Sequence, residues 1–552
     1  MIHDLHETKL AKLPGYDLCV IGSGPAGMTI AAELASSGLR VCVLESGRAN
    51  VTALGDRLRR VESEGIEIKS WSRERVLGGA STTWAGLSSP LEPLDLAARA
   101  WVPLSGWPIA RAELESHYAQ AAQRYRFPDA AAFGPAGFGA LRMKGEREPA
   151  WQRLTEKVFL AATPPQDFGA EQRAIFEREG LDLYLDASVV RIVAEGTSAK
   201  RVQLRTSTGS ALELEARAFV LATGGIENAR LLLVSQLGNE RDQVGRCLMN
   251  HPKSYHGVLT LERPVTELPY FFGCMWRGFA GYAGLRLDDA EQQRAGVLDS
   301  YCRFEPLFPW SDSVGVESLV TLAKRSRLVA GRLRHKAQKE VVALRDYSET
   351  GDDSELQNER RGPAGWMGLS WNVVRDMPRV SRYAWNRIFS RARPAVHAVR
   401  LRNFMEMQPH PENRVQLSSR LDEFGVPLPR VRHRCTELDR HSLITLHERL
   451  ATELPRAGLG KLRSDLAHAE PWPITQDASH HMGTTRMGLD PATSVVDAQG
   501  RVHSLANLYL AGASVFPTSG SANPTFTIVA LSIRLARHLR AELGGASGAM
   551  NA

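Results

Sequence analysis

The chain has 552 residues, 43% of them hydrophobic and 23% charged, which excludes wholesale disorder and calls for two to four domains. Its formal net charge of +7 is modest for this length. No nucleic-acid motif accompanies it, so nucleic acid is not expected as a partner.

The opening residues MIHDLHETKLAKLPG carry no apolar signal core and no twin arginine, and no apolar run approaches the ~20 residues of a membrane span. The six cysteines lie far apart, without a Cys-x-x-Cys pair, which argues against a disulfide scaffold or a cysteine metal site. The expectation is a reduced, cytoplasmic protein. Residues Tyr16–Gly47 read as a βαβ unit. YDLCVIG is an apolar run typical of a buried parallel strand, MTIAAELASSG has helical periodicity and stops at Gly38, and RVCVLES is a second strand. Residues 51–100 read mostly as loop. GWPIARAELESHYAQAAQRY predicts a proline-started helix. Strand patterns return over 181–225, as LDLYLDASVVRIVAE, RVQLRTSTG and ALELEARAFVLATGG, followed by the helix IENARLLLVSQLG. From about His251 to Asp465 aromatics are scattered through weaker patterns, which suggests a second domain with an irregular sheet. The strand NLYLAG and the helix TFTIVALSIRLARHLRAEL close the chain.

Gly22-Ser23-Gly24-Pro25-Ala26-Gly27 fits G-x-G-x-x-G in the required context, after a strand and opening a helix. Gly22 permits the tight turn, Gly24 lets backbone approach a pyrophosphate, and Gly27 allows close helix–strand packing. The helix N-terminus offers N–H groups to phosphates. Glu45, 18 residues past Gly27, is placed to accept from ribose hydroxyls and disfavours NADP. The motif alone does not separate FAD from NAD. FVLATGG, with Ala222, Thr223 and Gly224, is a strand-to-glycine turn of the kind that passes under a flavin dinucleotide.

These motifs, with LGGASTTWAG (77–86), GWPIARAEL (106–114), VLATGGIENARLLL (220–233), HHMGTTRMG (480–488) and NLYLAGASVFPTSGSANPTFT (507–527), resemble the glucose-methanol-choline (GMC) flavin oxidoreductases nearly end to end. Ala-Asn-Pro-Thr near the end is similar to the branch of pyranose oxidase and sugar dehydrogenases. The resemblance implies an α/β fold. A discontinuous Rossmann-type FAD-binding domain would comprise 1–100, 181–255 and 466–552, and 101–180 would form a helical and loop connection and cover. Residues 256–465 would form an α+β substrate domain with a mainly antiparallel sheet. It implies non-covalent FAD, because Thr83 stands where pyranose-oxidase-like members carry the tethering histidine. Beyond the glycine motif and Glu45, it places Gly79, Ser81, Thr83, Trp84, Ala85, Val190, Ala222, Thr223, Gly224, Asn228, Gly512, Ala513, Pro524 and Thr525 at the cofactor.

The resemblance also implies oxidation of a CH–OH group of a sugar, glycoside or similar polyol, with hydride passing to flavin N5. A dehydrogenase is expected rather than an oxidase. The acceptor stays open among quinone, carrier protein and oxygen. Two alternatives are a non-sugar alcohol (choline- or sterol-like) and non-redox lyase chemistry on the same fold. His480 matches the family's base position, because Gly483-Thr484 fixes the register, and Asn523 matches its partner. A neutral imidazole suits removal of the hydroxyl proton, and an uncharged amide suits the oxygen as negative charge develops. Asn523 also reads as the cap of a helix starting at Pro524. The adjacent histidines His480 and His481 do not converge on one ion, so no metal is expected. Finally, 321–402 holds 18 Lys/Arg against 8 Asp/Glu. Trp371, Tyr383, Trp385 and Phe389 lie near Arg375, Arg379, Arg382, Arg387, Arg391 and Arg393. That pattern suits contact with a membrane surface or an acidic partner.

Overall fold

The computed structural model describes residues 1–8, 10, 12–141, 149–271, 273–276, 278–325, 365–389 and 394–549. Tyr16–Ile21 is buried at every position but Asp17, and pairs in parallel with Val41–Leu44 on one side and Ala211–Leu221 on the other. Leu181–Leu185 and Ile2–Asp4 extend this sheet beyond Val41–Leu44, also in parallel. Leu508–Leu510 lies parallel to Ala211–Leu221, and an antiparallel meander through Ser198–Arg205 and Ser188–Glu195 completes the layer. Successive parallel strands therefore leave Tyr16–Ile21 toward opposite sides, and this switch opens a crevice at its carboxyl end. Helix Pro25–Leu34 starts at that crevice and the long final helix Thr525–Ala549 packs beside it.

The second sheet is antiparallel throughout, in the order Cys274–Trp276, Phe279–Leu287, Tyr301–Pro306, Val396–Phe404, Lys253–Val265, Gly460–Arg463. Leu154–Ala162 pairs with Phe279–Leu287 over nine residue pairs, so the 101–180 segment contributes a strand as well as helices and loops. Helix Glu437–Arg456 backs this sheet with Leu443, Leu446, Leu450 and Leu454, spaced to share one face and fully buried in a second core. A three-stranded sheet pairs Arg414–Leu421 with Pro427–His433, and the latter in parallel with Glu62–Gly65, a strand within the stretch expected to be loop.

Three further elements differ from expectation. The run 181–195 is two strands, because Asp186 takes a left-handed corner (φ +58°) and sends the chain from the parallel layer into the meander. The helix expected to start at Pro108 begins at Arg111, where Glu113 accepts from the Ala110 N–H at 2.9 Å and covers an end that proline need not fill. The last helix begins at Thr525, so Asn523 stands ahead of it and its side chain is not a cap. Between the adjacent strands Tyr301–Pro306 and Val396–Phe404, helices Val314–Arg325, Trp366–Arg375 and Met377–Phe389 enclose a small core of Trp310, Val316 and Val380. Much of the basic stretch 321–402, including Arg391 and Arg393, lies outside the described residues.

Candidate active site

One large cavity runs from the carboxyl end of Tyr16–Ile21 to the second sheet. At its near end lie Gly22, Ser23, Gly24, Pro25, Ala26 and Glu45. Gly22 has φ +104°, and a Cβ there would stand 2.6 Å from the Ala222 carbonyl oxygen. Gly24 has open space where a Cβ would point, so the backbone is bare toward the cavity. The helix behind it has no side-chain cap, which leaves its first N–H groups to an anion. Gly27 does not line the cavity. A Cβ on it would collide with the Gly22 carbonyl oxygen, so it sets helix against strand. Glu45 is buried and accepts from Ser23 N (3.0 Å), Ser23 Oγ (2.6 Å) and Gly47 N (2.7 Å). It lines the cavity and stiffens the glycine turn, a second duty beside the ribose contact expected of it.

Gly79, Ser81, Thr83, Trp84, Ala85, Ala222, Thr223, Gly224, Gly512, Ala513, Pro524 and Thr525 also line the cavity. The Thr83 hydroxyl donates to the Trp71 and Ala80 carbonyls, and threonine offers no nitrogen for a covalent tether. Besides Gly27, two expected cofactor residues sit elsewhere. Val190 lies at an irregularity in the pairing of Ser188–Glu195 with Ser198–Arg205. The strict alternation of the strand is broken there, and Val189, not Val190, reaches the cavity. Asn228 is fully buried behind it, accepting from Thr223 N and Oγ1 and donating to Ala511 O (3.0 Å) and Ser514 Oγ (2.8 Å). It ties the two glycine turns of the cleft together.

His480 and Asn523 meet at the far end, with Asn523 Nδ2 3.4 Å from His480 Nε2. The other ring nitrogen of His480, Nδ1, lies 3.0 Å from Nδ1 of His251, a residue the sequence marked only as a segment boundary. His251 Nε2 is 2.9 Å from the Gly520 carbonyl oxygen. That oxygen can only accept, so His251 carries its proton on Nε2. Burial pushes His251 down to about 4, so it is neutral near pH 7 and its Nδ1 is a lone pair. The proton between the two rings therefore belongs to His480 Nδ1, and His480 Nε2 is bare. Burial also holds His480 well below the ordinary imidazole range, and His251 and Lys253 push the same way.

Neighbouring groups fix this pair. Asn250 Oδ1 accepts from His251 N (2.8 Å), and its amide donates to Asp477 (2.6 Å). Asp477 is fully buried; burial alone would raise its carboxyl, but His481 and hydrogen bonds from Asn250 and Lys69 N hold it well below the usual range. His481 turns toward Asp477 (3.4 Å), whereas His480 faces Asn523. Ser479, just ahead of the two histidines, takes a left-handed conformation (φ +66°). Behind Gly520, the fully buried Arg99–Glu406 pair (2.6 Å) presents a carboxylate oxygen to the Gly520 N–H at 3.2 Å. Sequence reasoning also missed Lys253, Tyr282, Tyr301, Arg303, Arg402 and Phe404, which line the second-sheet wall. The i, i+2 spacing of Tyr301 with Arg303 and of Arg402 with Phe404 was the available signal, since alternate strand residues share a face. Among the described residues no group of three or more His, Cys, Asp or Glu could hold a metal ion.

Residues 409–532 match the family model for GMC oxidoreductases, and residues 17–288 that for FAD dependent oxidoreductases. The chain thus carries a GMC oxidoreductase C-terminal domain and an FAD-dependent oxidoreductase domain. As is general in these families, the cofactor is FAD held without a covalent bond, and the bare Gly24 backbone, uncapped helix end and Glu45 fit its dinucleotide. The chain is similar to paromamine 6'-oxidase of Streptomyces fradiae, 26% identical with 96% of this chain and 92% of that protein covered. It is also similar to the fructose dehydrogenase large subunit of Gluconobacter japonicus, 27% identical with 58% of this chain and 46% of that protein covered. Among solved structures, pyridoxine 4-oxidase from Mesorbium loti shares the fold, with a TM-score of 0.52 and 16% identity over 95% of this chain and 98% of that one. Sugar and glycoside oxidases and dehydrogenases are among the relatives of this FAD-dependent oxidoreductase.

Proposed function

We propose that this GMC oxidoreductase oxidises a secondary or primary hydroxyl of a sugar, glycoside or related polyol, with His480 Nε2 as proton acceptor. The observation that carries this reading is the bare His480 Nε2 beside the Asn523 amide at the end of the cofactor cleft. FAD, when bound, supplies the two-electron acceptor for the hydrogen leaving carbon. The hydroxyl proton passes to His480 Nε2, which is free because His251 keeps the ring's own proton on Nδ1. Asn523 donates to the substrate oxygen as alkoxide character develops, and stays neutral at every pH. His480 is poised as a base because burial opposes its protonated form before reaction.

The carbohydrate class is supported by the relatives' names, paromamine 6'-oxidase and fructose dehydrogenase. It is also supported by the hydrogen-bonding side chains Arg303 and Arg402 on the second-sheet wall of the same cavity. Guanidinium donors suit hydroxyls. The reading extends to a dehydrogenase working in the cytoplasm. The test is anaerobic mixing with sugars, glycosides and aminocyclitol alcohols. Bleaching of the flavin supports alcohol oxidation, and no bleaching by any of them, with turnover of a cyanohydrin instead, would replace it with lyase chemistry. Fast reoxidation of the bleached enzyme by air would overturn the dehydrogenase part alone.

A further inference from the structure

Helices Trp366–Arg375 and Met377–Phe389 carry two apolar faces each, and only one is used inside the protein. Leu369 and Val380 are buried, the latter against Val316 and Trp310. Outward, Trp366, Trp371, Trp385 and Phe389 are 58–66% exposed and Met367 is 87% exposed. Met367 and Trp371 are one turn apart on the first helix. Trp385 and Phe389 are one turn apart on the second, with ring centroids 4.6 Å from each other. Soluble surfaces rarely gather so many large apolar side chains without a partner. Arg375, Arg379 and Arg382 are exposed among them. Neither helix carries an acid; Asp376, the residue between them, accepts from the Ser313 hydroxyl (2.5 Å) and lies 3.9 Å from Arg379.

We propose that this face docks the protein on an anionic lipid surface, its tryptophans and phenylalanine at the headgroup level and its arginines on lipid phosphates. Tryptophan and arginine together are the composition of an interfacial helix. Among the described residues no helix is long and apolar enough to cross a membrane, so the contact is peripheral. Charge decides the occupant. A second copy meeting the same face about a two-fold axis would set three arginines against three arginines, whereas anionic lipid neutralises them. An acidic protein would satisfy the arginines but would not call for a bare aromatic face. The helices join the second sheet near Pro306 and Val396, the strand ends remote from the cavity-lining Tyr301, Arg303, Arg402 and Phe404. Substitutions on the outer face therefore leave the site intact.

The experiment is flotation of the full-length, FAD-loaded protein with vesicles of phosphatidylcholine alone or with added phosphatidylserine, at low and high salt. The protein should float with the phosphatidylserine vesicles at low salt, be released at high salt, and stay down with phosphatidylcholine. Trp371→Ser with Trp385→Ser should cut partition about tenfold or more. Arg375→Gln, Arg379→Gln and Arg382→Gln together should cut it about a hundredfold, about fivefold for each charge. Both variants should keep wild-type flavin content and alcohol-driven flavin reduction. If one of them fails to fold, the other decides. No flotation of the wild type at low salt, which would leave an acidic protein as the occupant, overturns the proposal. Equal flotation on neutral vesicles also overturns it, as does a concentration-dependent dimer that the same substitutions abolish.

Discussion

The Nδ1 atoms of His251 and His480 stand 3.0 Å apart, and a single proton lies between them. Because His251 spends its own proton on the Gly520 carbonyl, that shared proton is the one on His480. His251 thus acts as a positioning residue, choosing which nitrogen of the base faces the substrate. His251→Leu removes the acceptor and frees the His480 proton to move to Nε2. It should slow anaerobic flavin reduction about tenfold to a hundredfold with little change in the substrate concentration for half-saturation. His251→Gln keeps a carbonyl oxygen that can accept and should recover part of the rate. Nitrogen-15 spectra of labelled histidine should report His480 as the Nδ1–H tautomer in the wild type and a mixture in the leucine variant. An unchanged tautomer in His251→Leu would reduce His251 to packing.

His480→Ala should lower the rate of flavin reduction at least about a hundredfold while FAD stays bound, since general-base catalysis is worth ~10²–10⁴-fold. Asn523→Ala should cost somewhat less, about the worth of one oxyanion donor. His481 faces Asp477, so His481→Ala should disturb folding more than rate, and its flavin-reduction constant should exceed that of His480→Ala. Rapid-mixing spectrophotometry reads all three. A His480→Ala enzyme near wild type would remove the base assignment.

A Cβ at residue 22 would press on the Ala222 carbonyl at 2.6 Å in a conformation (φ +104°) that alanine avoids. Gly22→Ala should therefore be recovered with most of its FAD missing, measured as the ratio of flavin to protein absorbance. Gly24→Ala, where a Cβ meets only open space, should fold normally and lose FAD by obstruction alone. In the wild type, acid precipitation should leave the yellow colour in the supernatant. Colour in the pellet would contradict the reading of Thr83.

The parts of the site read from sequence are those where a short motif carries its own geometry. The glycine turn, the Ala222–Gly224 turn, and His480 fixed by Gly483-Thr484 each depend on neighbours within a few residues, and Glu45 closes the same βαβ unit as the glycine turn. Val190 was placed at the cofactor by family resemblance alone, and an irregularity in strand pairing sets Val189 on the cavity side instead. Asn523 was read as a cap because residue type and a following proline favour one, yet its amide turns to a histidine 43 positions away. His251 is 229 positions from His480, and no local pattern links them. The same holds for the Arg99–Glu406 pair, whose partners lie 307 residues apart and meet only when both sheets are in place. Fold class follows from periodicity within segments, whereas the orientation of a base follows from contacts between segments.

Buried histidines give the fold an acid-sensitive stability separate from catalysis. His433 is fully buried at the end of Pro427–His433, and neither ring nitrogen has a hydrogen-bond partner among the described residues. Burial pushes its imidazole down to about 4, with Asp477 opposing and His481 assisting. In the unfolded chain it titrates at ~6.5. Between those values the unfolded state binds more protons, so stability rises with pH. The contribution is complete above the unfolded value and is lost as pH falls through 6.5 toward about 4. At pH 5 the loss from this one residue is about 2 kcal/mol. His251, at about 4, and His447, at about 3, are also pushed down chiefly by burial and add in the same direction. His433→Leu forfeits no hydrogen bond and removes the titration. Its stability at pH 7.5 should match or exceed the wild type, because an unpartnered buried polar ring is replaced by an apolar one. Its loss between pH 7.5 and pH 5 should be smaller than the wild type's by about 2 kcal/mol. Denaturant unfolding at the two pH values, with FAD in excess to hold cofactor binding constant, measures both quantities. Parallel curves for wild type and variant would show that His433 is not charged on unfolding and that the acid sensitivity lies elsewhere.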